Sequence, residues 1–125
     1  IIKLINMFNQ IRTSKENKEI VTRLTTKLGL GSENIIARVA IGYSISKKNK
    51  MNINSLKDSS GKTYSYKILF GEYDRIYLAM ICQLYSIHQS DPDIAKYIKL
   101  HLDDGLDRLS EDNYNSVEQM LLKIE

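Results

Sequence analysis

Lysine is the residue type in this 125-residue chain that is best placed to bind a ligand, because the lysines are concentrated in the first half. Residues 1–67 hold 13 Lys and Arg against 4 Asp and Glu, a net charge of +9, whereas residues 68–125 hold 5 against 11, a net charge of −6. A segment with such an excess of positive charge attracts polyanions before any specific contact forms. Duplex nucleic acid is therefore the first candidate partner.

Contacts with phosphate groups require only flexible cations within reach. The densest group of such cations is Lys47-Lys-Asn-Lys50, which follows the second predicted helix. An ordinary solvated face is the competing interpretation of such a cluster, but the excess charge of the first half favours polyanion binding. The residues predicted to contact DNA are Arg12, Lys15, Lys18, Lys27, Lys47, Lys48 and Lys50, with Lys57, Lys62 and Lys67 as further candidates.

The residue types that usually carry catalysis form no consistent pattern. His88 and His101 have neither a cysteine nor a second histidine at the spacing of a metal site, so we expect both to be structural. Asp103, Asp104 and Asp107 are expected to form a solvated acidic face rather than a cation site. The sequence also lacks a P-loop, a nucleophile elbow and a redox Cys-x-x-Cys pair. We therefore expect a protein that is not an enzyme and that needs neither a metal ion nor another cofactor.

Arg38 lies between isoleucines and valine in the second predicted helix, where an unpaired guanidinium group would be costly. It is therefore predicted to form a structural ion pair with Glu72 or Asp74, which competes with direct contact to DNA.

Cysteine content and hydropathy bear on the compartment. The single cysteine, Cys82, excludes an internal disulfide, and no stretch approaches 18 apolar residues. We expect a cytoplasmic protein without a membrane partner.

The elements that position these side chains are mainly helices. Alternation predicts a short strand over Phe8–Thr13, and a helix over residues 14–28 follows, with Thr13 or Ser14 as its N-cap and Gly29 at its end. Ser32 is the predicted N-cap of the second helix. Further helices are predicted over Tyr73–His88, after Asp91-Pro92, and over Asn113–Lys123. We expect one mostly α domain over residues 1–125, a compact bundle of about five helices with two to four short strands.

The second predicted helix, residues 33–46, is apolar on more than one face. Ile36, Val39 and Ala40 lie on one side, whereas Ile41 and Ile45 point nearly the opposite way. In a chain this short, the second side is more easily covered by another copy, so Ile41 and Ile45 are predicted to form an oligomer interface.

The order strand, helix, turn, helix is typical of a ribbon-helix-helix domain. In that arrangement, strands from two chains pair and enter the major groove of DNA. Gln10 and Arg12 would then share the face of the ribbon that meets the bases.

Four blocks, taken in order, resemble the DndE family, the small subunit of the bacterial DNA phosphorothioation system. The blocks are Ile11-Arg-Thr-Ser-Lys-Glu-Asn-Lys-Glu-Ile20, Asn34-Ile-Ile-Ala-Arg-Val-Ala40 with Tyr43-Ser-Ile45, Leu69-Phe-Gly-Glu-Tyr-Asp74 and His101-Leu-Asp-Asp-Gly-Leu106. The resemblance spans about residues 11–109. It implies a tetramer that binds duplex DNA, preferably nicked, through surface lysines and acts with the sulfur-transfer and ATPase subunits.

Three functions follow from the sequence. The first is a DNA-binding accessory subunit of the phosphorothioation machinery, with little sequence specificity. A ribbon-helix-helix repressor that recognises one operator is the second. The third is a protein-only scaffold of the same complex, in which the basic half of one copy contacts the acidic half of its neighbour.

Overall fold

A computed structural model describes residues 10–111, 114 and 116–124. A short antiparallel pair of strands, β1 (Gln10–Arg12) and β2 (Thr63–Ser65), lies beside the helices. The helices are α1 (Lys15–Lys27), α2 (Glu33–Ser46), α3 (Tyr66–Phe70), α4 (Asp74–Tyr85), α5 (Ile94–Glu111) and α6 (Val117–Ile124). Five of these described helices have eight residues or more, so the predicted mostly helical fold with a few short strands is confirmed. The predicted starts at Phe8 and Asn113 lie outside the described residues.

Helix α1 begins and ends where its sequence predicts. The side chain of Ser14 accepts a hydrogen bond from the backbone N–H of Asn17 at 3.1 Å, which satisfies one of the free donors of the first turn. Gly29 follows the helix with φ +65°, a left-handed conformation that favours glycine. The apolar stripe of Ile20, Val21 and Leu24 is buried. This stripe fixes which face of α1 carries lysines into solvent.

Helix α2 is the centre of the core and packs against α5 along much of its length. The close approach depends on Gly105, because a Cβ atom at that position would collide with the carbonyl oxygen of Ala40. Ile98, Leu102, Leu106 and Leu109 of α5 are fully buried. The longest helix therefore lies directly on the most apolar one.

The prediction that Ile41 and Ile45 form an oligomer interface is wrong. Ile41 is 0% exposed and Ile45 is 8% exposed within the single chain. Helices α1, α3, α4 and α5 all contact α2, so its second apolar side is covered by the chain itself. No second copy is required to explain the sequence of α2.

The paired strands also differ from a ribbon-helix-helix domain. β1 pairs with β2 of the same chain, with Ile11 opposite Tyr64, and both of these side chains are buried. Gln10 and Arg12 are exposed on the other face, as predicted. The strand pairing that joins two chains in a ribbon-helix-helix dimer is thus made within one chain.

Among the residues that the structure describes, no helix is both long and apolar enough to cross a membrane.

Candidate nucleic-acid interface

The seven cations predicted to contact DNA are all exposed to solvent. They are Arg12, Lys15, Lys18, Lys27, Lys47, Lys48 and Lys50. None of them forms an ion pair with a carboxylate of the described residues. Their charges are therefore available to an external anion. The structure places them in four separate positions.

The first position is a groove beside the exposed face of α1, which we call the α1 groove. It has a volume of about 450 Å³, and its lining includes Lys15, Lys18 and Arg23 together with Ser60 of the loop before β2. Arg23 donates to the hydroxyl of Ser110 at 2.8 Å, which keeps its guanidinium group beside the groove. The helical spacing of these residues brings three positive charges to one open concave surface, beside a single carboxylate, that of Glu19.

The second position is the basic turn, residues 47–50, which directly follows α2. The backbone N–H groups of Lys47 and Lys48 donate to the carbonyls of Ser44 and Ile45, at 3.2 and 2.9 Å. Lys48 has φ +58°, which is uncommon for a residue with a side chain. The Nζ of Lys47 lies 4.8 Å from the centre of the Tyr43 ring. The turn thus presents three exposed lysines on an ordered backbone.

Arg12 and Lys27 lie apart from these two clusters. Arg12 lines another groove, of about 330 Å³, with Lys57 and Lys96. Lys27 is in the last turn of α1, where a positive charge interacts favourably with the helix dipole. The structure therefore brings together five of the seven predicted residues in two clusters and places Arg12 and Lys27 outside both.

The further candidates Lys57 and Lys62 are not free. Lys57 forms an ion pair with Asp107, and Lys62 contacts Glu33 at 2.8 Å. The hydrogen bond from Lys62 lowers the pKa of Glu33. Burial lowers the pKa of Lys57, but the hydrogen bond and charge of Asp107 outweigh it and raise the pKa overall. Lys67 is exposed on α3. The ion pairs in the structure thus show which lysines are free and which are neutralised, and amino-acid composition alone does not.

The two charged halves of the chain do not neutralise each other. In the described part, the ion pair of Lys57 with Asp107 is the one that joins residues 1–67 to residues 68–125. Asp93, Asp103 and Asp104 pair instead with cations of their own half. The positive excess of the first half remains on the surface.

The expected solvated acidic face on α5 is wrong. Asp103 is 3% exposed, and its carboxylate accepts hydrogen bonds from Ser14, Asn17 and Lys99 at 2.7 to 3.1 Å. Asp104 pairs with Arg108 at 2.8 Å and Asp107 pairs with Lys57. Each carboxylate has a specific partner because α5 is packed against other elements on most of its surface. No cluster of metal ligands is present among the described residues.

The predicted ion pair of Arg38 is also wrong. Its Nε and Nη2 donate to the backbone carbonyls of Leu69 and Ile68, at 2.6 and 3.1 Å. Asp74 instead accepts from the hydroxyl of Tyr66 at 2.9 Å, and Glu72 is exposed. Carbonyls at the end of α3 satisfy the guanidinium group because Gly71 leaves space for it against the backbone. Arg38 is a structural residue, held by a different partner from the one expected.

Sequence reasoning missed a buried polar group around His101. Its ring nitrogens contact the hydroxyls of Ser44 and Tyr85, which come from α2 and α4. These residues are far apart in the chain, so no local spacing pattern predicts their meeting. Ser44 is 1% exposed and His101 is 0% exposed, so a substrate cannot reach them in this conformation.

The fold and the surface define a small helical protein with a two-stranded sheet and an exposed basic surface. A family model described as "DNA sulphur modification protein DndE" matches residues 10–116. The chain therefore belongs to the DndE family, which confirms the resemblance noted over residues 11–109.

Solved structures agree with this assignment at the level of the fold. One is DndE from Escherichia coli B7A, involved in DNA phosphorothioation modification, with 20% identity and a TM-score of 0.65, covering 82% of this chain and 97% of that one. Another is a G21/24K mutant of DndE involved in DNA phosphorothioation, with 19% identity and a TM-score of 0.65, covering 81% of this chain and 96% of that one. No curated protein matched the chain.

Proposed function

We propose that this protein is a DNA-binding accessory subunit of a DNA phosphorothioation system. It binds duplex DNA through the α1 groove and the basic turn, with little sequence preference. The observation that carries the proposal is that the lysines of both clusters are exposed and have no carboxylate partner among the described residues. Nicked duplex is the preferred substrate, and the sulfur-transfer and ATPase subunits are the partners, as the family resemblance implies.

The charges support binding to the backbone rather than to bases. Lysine is a flexible point charge that suits phosphate contacts but carries little sequence information. Each phosphate neutralised adds about −0.9 to the slope of log affinity against log salt concentration. The two clusters contain five lysines in all, Lys15, Lys18, Lys47, Lys48 and Lys50. We therefore expect a steep dependence of binding on salt.

Two double variants test the proposal, Lys15→Gln/Lys18→Gln in the α1 groove and Lys47→Gln/Lys50→Gln in the basic turn. Affinity for an intact and a nicked duplex of random sequence is measured at several salt concentrations. If each lysine contacts one phosphate, each double variant reduces the steepness of the salt dependence by about 2. Weaker binding to both duplexes is expected.

The matched control is Lys62→Gln/Lys96→Gln, which removes the same charge from two lysines that are already paired, with Glu33 and Asp93. Its salt dependence should stay close to that of the unchanged protein. An equal loss in the control would show that only net charge matters. A wild-type slope near 1 or below would contradict a surface that contacts several phosphates.

The two alternative functions give different results in the same assay. A repressor would prefer its own operator over random duplex by about a thousandfold or more. A protein-only scaffold would bind no nucleic acid at low salt while staying oligomeric. We propose a homo-oligomer, a tetramer as the resemblance implies. Its interface must use exposed side chains rather than Ile41 and Ile45.

A further inference from the structure

An unbroken chain of hydrogen bonds runs beneath the basic turn. The N–H of Met51 donates to the hydroxyl of Tyr85 at 3.0 Å, and that hydroxyl lies 2.6 Å from Nε2 of His101. Nδ1 of His101 lies 2.8 Å from the hydroxyl of Ser44, which donates to the carboxylate of Asp104 at 2.6 Å. Five groups from α2, α4, α5 and the segment after the turn are thus linked in one series.

The direction of this series fixes the protons on His101. Asp104 is paired with Arg108, and an ionised carboxylate can only accept, so the single proton of Ser44 points to it. The hydroxyl of Ser44 must then accept from an Nδ1–H of His101. The other nitrogen, Nε2, is left as an acceptor for the proton of Tyr85. In the opposite tautomer Nδ1 would be an acceptor, and the hydroxyl of Ser44 would have to donate its only proton to it. The oxygens of Ser44 and Asp104 would then face each other without a proton between them.

Burial keeps the imidazole ring neutral. His101 is 0% exposed. Burial lowers its pKa, and the nearby charge of Asp104 raises it less than burial lowers it. A neutral ring has one donor and one acceptor, as the series requires. The ring is further fixed by Tyr85, whose ring lies edge-on to it and stacks on Tyr97 with centroids 4.0 Å apart.

The same series holds both ends of the basic turn. Ser44 joins the series through its side chain, while its carbonyl accepts the N–H of Lys47 at the start of the turn. At the far end, Met51 is held by Tyr85. Between them, Lys48 has the left-handed conformation that residues with a side chain seldom adopt unless their surroundings impose it. Removal of either anchor allows the turn to leave this conformation.

We propose that Tyr85 and His101 are positioning residues that keep the lysines of the basic turn in the arrangement that contacts DNA phosphates. This inference rests on the proposed function, because it assumes that the turn binds DNA. An ordered turn binds more tightly, since less conformational freedom is lost when the complex forms. The partner is the phosphate backbone of the duplex, and the two residues act on it through Met51 and Ser44.

The test compares Tyr85→Phe with Tyr97→Phe in the full chain. Tyr85→Phe keeps the stacked ring and removes the hydroxyl that joins Met51 to His101. Tyr97→Phe makes the same change on the neighbouring ring, whose hydroxyl is not part of this hydrogen-bond series. Three quantities are measured: the tautomer of His101 by ¹⁵N NMR, hydrogen exchange at the Met51 amide, and affinity for random duplex against salt.

We expect the Nδ1–H tautomer in the unchanged protein. In Tyr85→Phe, exchange at Met51 should become about tenfold faster or more, and duplex affinity should fall about threefold to tenfold. The salt slope should stay nearly constant, because every lysine is still present. Tyr97→Phe should leave all three quantities unchanged.

Each contrary result identifies what has failed. An Nε2–H tautomer in the unchanged protein, which needs no variant, overturns the hydrogen-bond series. Faster exchange at Met51 with unchanged affinity overturns the positioning role while leaving the proposed function intact. If Lys47→Gln/Lys50→Gln binds like the unchanged protein, the DNA-binding role of the turn fails instead, and the tautomer result still stands.

Discussion

At the scale of single residues, Asp103 shows how a charged side chain becomes part of a core. Its carboxylate caps the start of α1 through Ser14 and Asn17 and also pairs with Lys99. Lys99 is itself 7% exposed and donates to the carbonyls of Arg12 and Asp58. The buried charges are tolerated because nearly all of their hydrogen-bonding capacity is used. The pair therefore joins α5 to three other elements: Asp103 contacts the start of α1, and Lys99 contacts β1 and the loop before β2.

Removal of one partner from the buried pair of Lys99 and Asp103 should destabilise the protein far more than removal of one partner from an exposed pair. Asp103→Ala leaves Lys99 buried without its counter-charge, and we expect a loss of about 3–5 kcal/mol in the free energy of unfolding. Asp107 lies on the same helix as Asp103 but forms a more exposed pair, with Lys57. Asp107→Ala should therefore lower the free energy of unfolding by less than about 1 kcal/mol. Denaturation by urea measures both variants. Similar losses would contradict the burial argument.

The neutral ring of His101 gives folding a specific dependence on pH. The pKa of His101 lies below its ordinary value of 6.5 in the folded protein, so between these two pKa values the unfolded chain binds a proton that the folded chain excludes. The free energy of unfolding should therefore decrease as the pH falls below 6.5, by up to about 1.4 kcal/mol per pH unit, until the lower pKa of the folded state is reached. Glu33, whose pKa is lowered from 4.5, loses its contribution only at lower pH.

The measurement is urea denaturation at several pH values in this range. In His101→Gln the decrease should be largely abolished, whereas His88→Gln, which removes the exposed imidazole that contacts Ser90, should retain it. A decrease of equal size in all three proteins would assign it to other groups.

At the scale of elements, the sequence predicts where each helix begins and ends better than it predicts which elements pack against it. The cap at Ser14 and the glycine at position 29 place α1 almost to the residue, because they act within a few residues of the helix ends. The apolar pattern of α2 predicts burial on several sides. It cannot distinguish the chain's own helices from a second copy, and for this reason the prediction of an oligomer interface at Ile41 and Ile45 is wrong. Local patterns likewise do not predict the partner of β1, since β2 lies about fifty residues further along the chain.

The crossing of α2 and α5 makes opposite predictions for two helical glycines. A Cβ atom at Gly105 would collide with the backbone of Ala40, so Gly105→Ala should force the helices apart and cost about 1–3 kcal/mol or more. Gly42 lies in α2 with open space at its Cβ position. Gly42→Ala should therefore stabilise the protein by up to about 1 kcal/mol through helix propensity. Thermal unfolding of both variants measures the difference. A stabilising Gly105→Ala would show that the helices are less closely packed.

At the scale of the whole molecule, the sequence predicts the family and the fold class. It also predicts that the positive excess of residues 1–67 lies on the surface. It does not predict which lysines remain free, because pairing depends on contacts such as Lys62 with Glu33, 29 positions apart in the numbering. Nor does it predict the partners of Asp103 and Arg38, since both are supplied by packing between distant segments. Local signals thus locate the elements, while the surface that remains for binding is a property of the assembled fold.

The contact between Asp103 and Ser14 joins residues 89 positions apart. During translation, the start of α1 leaves the ribosome long before the carboxylate that caps it has been made. The apolar faces of α1 and α2 therefore remain exposed until α5 has emerged from the ribosome. The nascent chain can complete this core only after α5 has been made, so translation pauses or truncations before α5 leave a product that chaperones and proteases will recognise.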